Sequence, residues 1–440
     1  MTDSILFIAC LFILAGSIYL TFKTRFIQLR FFRMLKSSLT KHESRETISP
    51  RKALFTAMST TLGISTIVGP IIAINLGGPG ALIGFLFTAF FGSAATFTEV
   101  HLSIQHRKRL ENGTILGGAM QYMEKLLSPG AAKWYAVCCL LLMTAWSGAQ
   151  ANQLAAILDS PLLGDYRIPT MISGAVVAAF ALATLLGGIR RVGAISAKLV
   201  PVMFLIYLGS SLWIVFSNAG MLGEMFSEIF RSALSPRAMT SGTLVGGVVA
   251  TLRWGIFKGT QACEAGIGTQ AIPHSMAETK DPEAQGALAI LSTYMAGFVA
   301  FLSGCVSLIT KTWQDPEIPL GISMVATSFQ QYFSSFGIAI VAVSTILFGF
   351  GTILGNTYNG SQCFAYLTGG KRVRIYLYAM TGMIFVGAIA EVKMFWSMMD
   401  LVLASMAVPH MAALVYYAWK REERALGAGW LDEKAASRGK

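Results

Sequence analysis

The sequence is poor in charge. Only 13% of its 440 residues are charged, against roughly 25% in ordinary soluble domains. The hydrophobic share is 54%, and the mean hydropathy is +0.60. A soluble chain of this length would need far more polar surface, so the composition excludes a cytosolic globular enzyme, a disordered protein and a fibrous protein. It predicts an all-α polytopic membrane protein.

The sequence also lacks the short motifs of several common chemistries. It has no Walker A lysine motif, no His-Glu-x-x-His and no Gly-x-Ser-x-Gly, which argues against an ATP-driven pump and against hydrolysis within the membrane. Its six cysteines have no metal-ligand spacing. Despite a net charge of +12, no basic stripe is interleaved with aromatic residues. We therefore predict no enzyme activity, no cofactor and no nucleic-acid partner.

Long apolar runs are what the sequence has in abundance. Each needs about 18 residues or more to cross a bilayer, and the first lacks the basic start and the cleavage site of a signal peptide. We predict 11 transmembrane helices, at 4–22, 53–76, 81–105, 133–158, 169–187, 196–218, 243–272, 284–310, 336–366, 373–390 and 394–419. The stretch 221–237 has apolar residues at helical spacing and predicts an amphipathic helix lying in the membrane interface.

The basic residues give this arrangement an orientation. With the N-terminus outside, 27 of the 34 Lys and Arg residues fall in cytoplasmic segments and five fall outside. Two more, Arg253 and Lys258, lie inside a predicted span. The positive-inside rule then places the C-terminus in the cytoplasm. The basic cluster in 23–52 is expected to set this topology and to contact anionic membrane lipid.

The spans divide into two blocks of five. Residues 1–52 hold an extra N-terminal helix and a basic cytoplasmic loop, 53–218 the first block, 219–242 the interfacial helix, 243–419 the second block, and 420–440 a cytoplasmic tail. The blocks begin on opposite sides of the membrane. A five-plus-five inverted repeat of this kind is typical of secondary transporters.

The first span of each block is interrupted by small and hydroxyl-bearing residues. Residues 60–66 read Thr-Thr-Leu-Gly-Ile-Ser-Thr, and residues 259–269 read Gly-Thr-Gln-Ala-Cys-Glu-Ala-Gly-Ile-Gly-Thr. Unwound backbone is tolerated at this depth only where it lines a cavity or is buried in protein. We predict helix breaks near Gly63–Thr66 and Ala262–Gly266; close helix packing is the simpler alternative.

These segments resemble the alanine or glycine:cation symporter family, within the amino acid–polyamine–organocation superfamily. The resemblance runs nearly end to end and rests on short matches in order: Phe26-Ile27-Gln28, Gly77-Gly78-Pro79-Gly80, Thr88-Ala89-Phe90-Phe91-Gly92, Glu99, Gly117-Gly118-Ala119-Met120, Gln150-Ala151-Asn152, Gly187-Gly188-Ile189, Lys198-Leu199-Val200-Pro201, Glu264-Ala265-Gly266-Ile267-Gly268, Thr352-Ile353-Leu354-Gly355, Gly360 with Cys363, and Met406-Ala407-Val408-Pro409. It implies a leucine-transporter-like fold and sodium-coupled symport of a small neutral amino acid into the cell, across the inner membrane.

The chain departs from the family pattern at three places. Gly63-Ile64-Ser65-Thr66-Ile67 stands where the family has Gly-Thr-Gly-Asn-Ile, and Ala262-Cys263 stands where it has Ser-Asn. Asn356 stands where it has a tryptophan, which would enlarge and polarise the pocket. All three fall where the resemblance places substrate or ion, so a proton-coupled transporter of a related solute, or a substrate sensor without transport, stays open as an alternative.

The substrate site is expected at the breaks. A half-helix N-terminus suits a carboxylate, and unwound carbonyls suit a cation. The resemblance adds Gln150, for which interhelical hydrogen bonding is the alternative. The candidate substrate-binding residues are Gly63, Ser65, Thr66, Gln150, Ala262, Cys263, Gly266 and Asn356.

The coupling sodium ion has its own candidate ligands. Hard cations prefer oxygen, and the resemblance places a hydroxyl and a carbonyl ligand on one helix, at Thr352 and Gly349. With Gly63 and Thr66 of the first break, they form the predicted sodium site. The alternative is that Thr352 bonds only to its own helix.

Acidic residues inside a span should have a partner or a task. Glu264 follows the second break and is expected to brace its backbone, with Lys258 or Arg253 as candidate partners; binding the substrate ammonium or a proton is the alternative. Glu99, His101 and Asp400 lie near predicted helix ends, where solvation at the interface is the ordinary expectation.

Overall fold

The computed structural model describes residues 2–35, 47–109, 115–234, 244–390 and 392–424. Almost all of them are helical. The helices are α1 (Thr2–Lys23), α2 (Ile27–Arg30), α3 (Phe32–Leu35), α4 (Pro50–Thr61), α5 (Ile64–Gly77), α6 (Ala81–His106), α7 (Ala119–Leu126), α8 (Pro129–Leu158), α9 (Thr170–Leu185), α10 (Gly188–Ser217), α11 (Leu222–Leu234), α12 (Leu244–Cys263), α13 (Ala271–Ser275), α14 (Pro282–Thr310), α15 (Ile322–Phe333), α16 (Ser335–Thr368), α17 (Val373–Ile389) and α18 (Val392–Arg424). One small antiparallel hairpin joins β1 (Lys108–Arg109) to β2 (Ile115–Leu116).

Each predicted span coincides with a helix or with a pair of half-helices. The largest shift is at α10, which begins at Gly188, eight residues before the predicted start. Gly188 has φ +65°, which permits a tight turn directly after α9 and lets the basic stretch continue as helix. The short helices α7 and α15 were not predicted, because each lies in a segment that reads as a loop.

Six helical segments of the described chain are long and apolar enough to cross a membrane: Pro50–Gly77, Ala81–His106, Gly188–Ser217, Pro282–Thr310, Ser335–Thr368 and Met399–Lys420. Three shorter apolar helices are Ile8–Lys23, Thr170–Leu185 and Val373–Ile389. Helices α8 and α12 carry charged and amide side chains that lower their hydropathy, among them Lys133, Gln150 and Lys258. The protein is thus a multi-pass helical membrane protein, and the count of eleven spans stays a prediction.

The same order of elements occurs twice along the described chain. A helix interrupted near its middle is followed by a long helix, a short helix and three further helices, first as α4/α5 to α10 and again as α12/α13 to α18. Corresponding members pack against each other: α5 on α12, α6 on α14, α8 on α16, and α9 on α17. The additional helix α1 packs on α18 and α6, outside this pairing.

The halves of the two interrupted helices pack against each other. The half-helix α4 packs on α13, and α5 packs on α12, so the first half of each interrupted helix meets the second half of the other. Before α4, Ile48 pairs with Ala277 after α13 in a short parallel bridge. Arg107, at the end of α6, donates to the carbonyl groups of Ser275, Ala277 and Thr279. These contacts hold the ends of both interrupted helices at the predicted cytoplasmic side.

The amphipathic helix predicted at 221–237 is present as α11 (Leu222–Leu234), and residues 235–243 lie outside the described chain. Met225 and Ile229 are buried, whereas Phe226 and Phe230 on the adjoining face are exposed. One apolar edge of α11 therefore packs against the rest of the protein. The basic loop at 36–46 and most of the predicted tail also lie outside the described residues.

Candidate functional site: two interrupted helices and the face of α16

The first interruption consists of Leu62 and Gly63, between α4 and α5. It is shorter than predicted, because Ser65 and Thr66 already belong to the first turn of α5. Thr66 closes the gap in two ways: its backbone N–H donates to the Gly63 carbonyl at 3.0 Å, and its hydroxyl donates to the Thr61 carbonyl at 2.5 Å. The helix can resume at once because these bonds replace the missing helical ones.

Three of the predicted site residues meet at this point. Thr352 Oγ1 donates to the carbonyl oxygen of Ser59 at 2.9 Å, and Gln150 Oε1 accepts from the backbone N–H of Ile64 at 2.9 Å. Gly63 lies between them: a Cβ atom there would be 2.7 Å from Thr352 Oγ1 and 3.3 Å from Gln150 Nε2. The absence of a side chain at Gly63 is therefore what allows both polar side chains to reach the broken backbone.

Gly349 lies one helical turn before Thr352 and faces the first residue of α5. A Cβ atom at Gly349 would be 2.9 Å from Ile64 Cδ1. The structure thus brings together Gly63, Thr352 and Gly349 from the predicted sodium group, whereas the Thr66 hydroxyl is engaged with Thr61. Hydroxyl and carbonyl oxygens grouped around a helix break are the type of ligand that a hard cation prefers.

The second interruption is longer. It covers 264–270, between α12 and the short α13. Glu264, Gly266 and Gly268 all have positive φ angles, of +48°, +74° and +87°. Only glycine adopts such angles without cost, so the two glycines are required by the backbone. Glu264 is a strained exception, and side-chain contacts hold it in place.

Glu264 contacts both the second loop and α4, the position from which a brace is predicted. Its carboxylate is buried, accepts a hydrogen bond from the Thr269 hydroxyl and also interacts with the Thr60 side chain of α4. The predicted pairing with Lys258 is wrong. Lys258 Nζ instead donates to Gln261 Oε1 at 3.0 Å and lies 3.9 Å from Asp400 Oδ1. Asp400 is therefore an ion-pair partner of α12 and not a solvated helix-end residue.

Side chains of α8, of α16 and of the loop itself hold the remainder of the loop. Tyr135 donates to the Ile267 carbonyl at 2.9 Å, Asn359 donates to the Thr269 carbonyl at 3.4 Å, and Gln270 donates to the Cys263 carbonyl at 2.9 Å. The backbone polar groups of an unwound segment need such partners when water is excluded. The loop is therefore fixed by the protein itself.

Two side chains that hold this loop were not predicted from the sequence. Glu99 Oε2 accepts from the Gly268 N–H at 3.0 Å, and His410 Nδ1 lies 2.9 Å from the Gly266 carbonyl oxygen. Both side chains are fully buried. The expectation that Glu99 is solvated at a helix end is therefore wrong, and His101 is also buried. The available signal was the position of Glu99 inside an apolar span, together with its place among the family matches.

The predicted substrate residues of the second interruption face elsewhere. Ala262 and Cys263 lie in the last turn of α12 and are fully buried, and Cys263 packs near Gly297 of α14. The neighbours of Gly266 are Met411 and Ala95, on α18 and α6 rather than on α4, α5 or α16. The structure therefore does not bring these residues into the group around Gly63.

One face of α16 connects the two interruptions. Thr352, Asn356, Asn359 and Cys363 recur at helical spacing on this face. Thr352 bonds to Ser59 of α4, and Asn359 bonds to Thr269 of the second loop. Asn356 lies between them and is fully buried.

Asn356 is the least satisfied polar side chain of this region. Within the described part of the chain, neither Nδ2 nor Oδ1 of Asn356 has a hydrogen-bond partner. A buried amide that makes no hydrogen bonds costs about 1–3 kcal/mol, so such groups are rare in native structures. The Asn356 amide therefore presents a donor and an acceptor between the two interruptions, without partners among the described residues.

A separate apolar cavity lies between α1, α6 and α12. Ile13, Ile256 and Ala265 line it, with the hydroxyl groups of Thr88 and Thr260. This cavity does not include Asn356, Gln150 or Thr352. Its polar lining residues are Ser17, Thr88 and Thr260, and none of its lining residues is charged.

The fold defines the class of the protein first. The structure of a manganese transporter from Eremococcus coleocola superposes with a TM-score of 0.57 at 12% identity, covering 86% of this chain and 80% of that chain. At this identity the likeness shows the fold alone. The chain thus shares the fold of that protein.

Sequence comparison then gives the family. The chain belongs to the sodium:alanine symporter family, whose sequence model matches residues 1–421. The sodium/alanine symporter AgcS of Methanococcus maripaludis is 32% identical over 413 residues, covering 92% of this chain and 90% of that protein. The probable sodium/glutamine symporter GlnT of Bacillus subtilis is 27% identical over 412 residues, covering 91% and 84%. The protein is therefore a transporter of the symport type and not an enzyme.

Proposed function

We propose that this protein couples the entry of sodium to the uptake of a small neutral amino acid, by alternating access across the cell inner membrane. Eleven spans, as one extra helix and a five-plus-five inverted repeat, would place the N-terminus outside and the C-terminus in the cytoplasm. The repeated order of elements and the 27 basic residues assigned to the cytoplasmic side support this topology. Family membership supports the choice of sodium and an amino acid.

The observation that carries the proposal is the polar group between the interruptions. Gly63, Gln150 and Thr352 meet at the first interruption, and Asn356, without hydrogen bonds to the described residues, lies one turn beyond Thr352. An amino acid zwitterion needs hydrogen-bond donors for its carboxylate and acceptors for its ammonium group. This group supplies both in a buried environment.

Sodium is assigned to the oxygen atoms nearest to the interruption of α4 and α5. Thr352 Oγ1 and the Ser59 carbonyl oxygen are already in contact, and Gly349 packs against Ile64. An ion at this place would tie α16 to the end of α4, because each helix supplies part of its coordination. Binding would then favour one relative position of these helices, as coupled transport requires.

The substrate is proposed to be larger or more polar than alanine and glycine. A tryptophan is the family residue at position 356, and Asn356 leaves more volume and adds a donor and an acceptor. The relative named as a probable sodium/glutamine symporter indicates that family members differ in substrate. A side chain with its own amide or hydroxyl group would satisfy Asn356.

The experiment is uptake of labelled amino acids into proteoliposomes that contain the purified protein. An inward sodium gradient should drive accumulation of at least one small neutral amino acid, and a potassium gradient of equal size should not. Binding without accumulation would indicate a sensor. Accumulation driven equally well by a proton gradient without sodium would show that the coupling ion is the proton. Either result would contradict the proposal.

A further inference from the structure

Glu99 of α6 and His410 of α18 form a buried pair of titratable groups that the proposed transport site does not use. Both side chains have no exposed surface, and His410 Nε2 lies 4.0 Å from Glu99 Oε2. Charged carboxylates are costly in the membrane interior and are retained there for a task. Such a pair requires a reason beyond packing.

The hydrogen bonds of His410 identify which of its ring nitrogens carries a hydrogen. The Gly266 carbonyl oxygen can only accept, so His410 Nδ1, at 2.9 Å, must carry a hydrogen. The Tyr122 hydroxyl lies 2.5 Å from His410 Nε2 and donates to it when the imidazole is neutral. His410 Nε2 is therefore the basic nitrogen of the pair.

Glu99 offers a second position for a proton. Its Oε2 accepts from the Gly268 N–H at 3.0 Å, while Oε1 is buried and has no hydrogen-bond partner among the described residues. An acceptor oxygen left bare in this way is expected to be protonated or to face an unpaired donor. One additional proton can therefore reside on Glu99 or on His410 Nε2.

The charges of the groups around the pair favour the binding of one additional proton. Among the described residues, the titratable groups that face the pair are Glu264 of the second interruption, Tyr122 of α7 and Tyr135 of α8, and Cys139 and Cys363 lie next to Tyr135. None of these is a cation. Without an additional proton the pair has a net negative charge beside a second carboxylate; with one, its net charge is zero.

We propose that Glu99 and His410 form a buried binding site for one proton, taken from and returned to bulk water, and that its occupancy sets how firmly the loop at 264–270 is held. The reason is geometric: both side chains hold the backbone between Gly266 and Gly268. Protonation of Glu99 converts a charge-assisted bond to Gly268 into a weaker neutral one. Protonation of His410 removes its acceptor for Tyr122.

Infrared difference spectroscopy of the purified full-length protein tests the site without requiring transport. Spectra at low minus high pH, recorded in water and in heavy water, should show the carbonyl band of a buried carboxylic acid. The band should shift with ¹³C-labelled glutamate in the parent protein and should be lost in Glu99→Gln. In the matched control Glu264→Gln, the band should persist.

The role of His410 is tested by the same band. In His410→Gln the band should remain, but its midpoint should move by at least tenfold in proton concentration, because the neighbour that shares the proton is gone. A parent band insensitive to glutamate labelling, a band that survives in Glu99→Gln, or an unmoved midpoint in His410→Gln would each overturn the proposal. If Glu99→Gln fails to fold, a band that shifts with labelled glutamate and persists in Glu264→Gln still assigns the proton to Glu99, because Glu99 and Glu264 are the buried glutamates of the described chain.

The consequence for transport rests on the proposed function and is measured separately. The pH profile of sodium-driven uptake should shift in Glu99→Gln by at least tenfold in proton concentration, while its half-saturating sodium concentration stays within twofold of the parent value. No uptake by the parent would contradict the proposed symport and leave the infrared result standing. An unchanged pH profile would contradict the control of transport by this pair.

Discussion

The two interrupted helices hold their unwound backbone in different ways. The first interruption is two residues long, and its nearest polar side chains are Gln150 and Thr352, with the unsatisfied amide of Asn356 one turn further. The second is seven residues long and is held by Glu264, Tyr135 and side chains of α6, α16 and α18. The difference agrees with the proposal that the first interruption binds ligands and that the second supports it.

One glycine in each interruption shows the same difference. Gly63 has φ −100° and ψ −177°, an extended conformation open to any residue, so it is needed for the space that it leaves. Gly268 has φ +87°, which an L-residue rarely adopts. Substitutions at the two positions should therefore fail for different reasons, one through ligand binding and one through folding.

The largest effect is expected for Gly268→Ala. The new Cβ would lie 2.5 Å from the Tyr135 hydroxyl and 2.9 Å from His410 Nε2, at a positive φ. Backbone strain of about 1–3 kcal/mol would add to the loss of the supporting hydrogen bonds, so thermal unfolding of the detergent-solubilised protein should begin at a much lower temperature. Gly188→Ala is the control, because Gly188 has φ +65° but no neighbour within 4 Å. Equal losses in both variants would contradict a braced loop.

Gly63→Ala should weaken ion binding rather than folding. Its Cβ would lie 2.7 Å from Thr352 Oγ1 and would push that hydroxyl away from Ser59. The half-saturating sodium concentration for uptake should rise at least tenfold, equivalent to about 1.4 kcal/mol, with little change in thermal stability. The control is Gly69→Ala, also in α5, where nothing lies within 4 Å of the new Cβ. If both variants require the same sodium concentration as the parent, Gly63 is not part of the ion site.

Asn356→Trp should change which amino acid is preferred. The indole is larger than the Asn356 side chain, and it would replace the amide donor and acceptor by a single N–H donor. Preference should move toward glycine and alanine by about 1–3 kcal/mol, the range for a pocket change of this kind. A competition panel against one transported amino acid measures the ranking. If alanine or glycine ranks first in both parent and variant, Asn356 does not shape the pocket.

The smallest effect is expected at Glu124 of α7, the helix that carries Tyr122 to His410. A hydrogen bond from Tyr366, followed by the charge of Lys108, lowers the pKa of Glu124. A lowered pKa stabilises the folded state above the ordinary value of about 4.3 and loses that contribution as the pH falls through the folded value. Since Glu124 is partly exposed, the contribution should be about 0.2–1 kcal/mol.

Glu124→Gln tests this directly. The variant should unfold at a slightly lower temperature than the parent at pH 7, and the gap should close in acid, once Glu124 of the parent is protonated. A gap of the same size at both pH values would show that the stabilisation does not depend on the charge of Glu124.

The sequence was most informative where apolar length decides the structure. The positions of the spans and the presence of both interruptions follow from runs of apolar residues and from Gly63 and Gly266. The exact ends do not follow, because hydrogen bonds such as that from Thr66 to Thr61 restart a helix earlier than composition indicates. The grouping of Gly63, Gln150 and Thr352 required the family resemblance, since they are far apart in the chain.

Other parts of the site could not be predicted from the sequence. Glu99 and His410 reach the second loop only because α6, α18 and the loop pack together, and no local pattern reports that contact. Lys258 was matched with Glu264 by proximity in sequence, but the fold turns it toward Asp400. The faces of α12 that carry Ala262 and Cys263 likewise depend on packing against α6 and α14.

The most direct test of the central claim, that the first interruption binds the coupling ion, is the sodium dependence of uptake by Thr352→Val. This substitution keeps the shape of the side chain and removes the hydroxyl that contacts Ser59. The matched control is Thr345→Val on the same helix, where the buried hydroxyl bonds to the Val341 carbonyl of its own helix at 2.7 Å. We expect the half-saturating sodium concentration to rise at least tenfold in Thr352→Val and to stay unchanged in Thr345→Val. A value in Thr352→Val equal to that of the parent would contradict the assignment of sodium to this site.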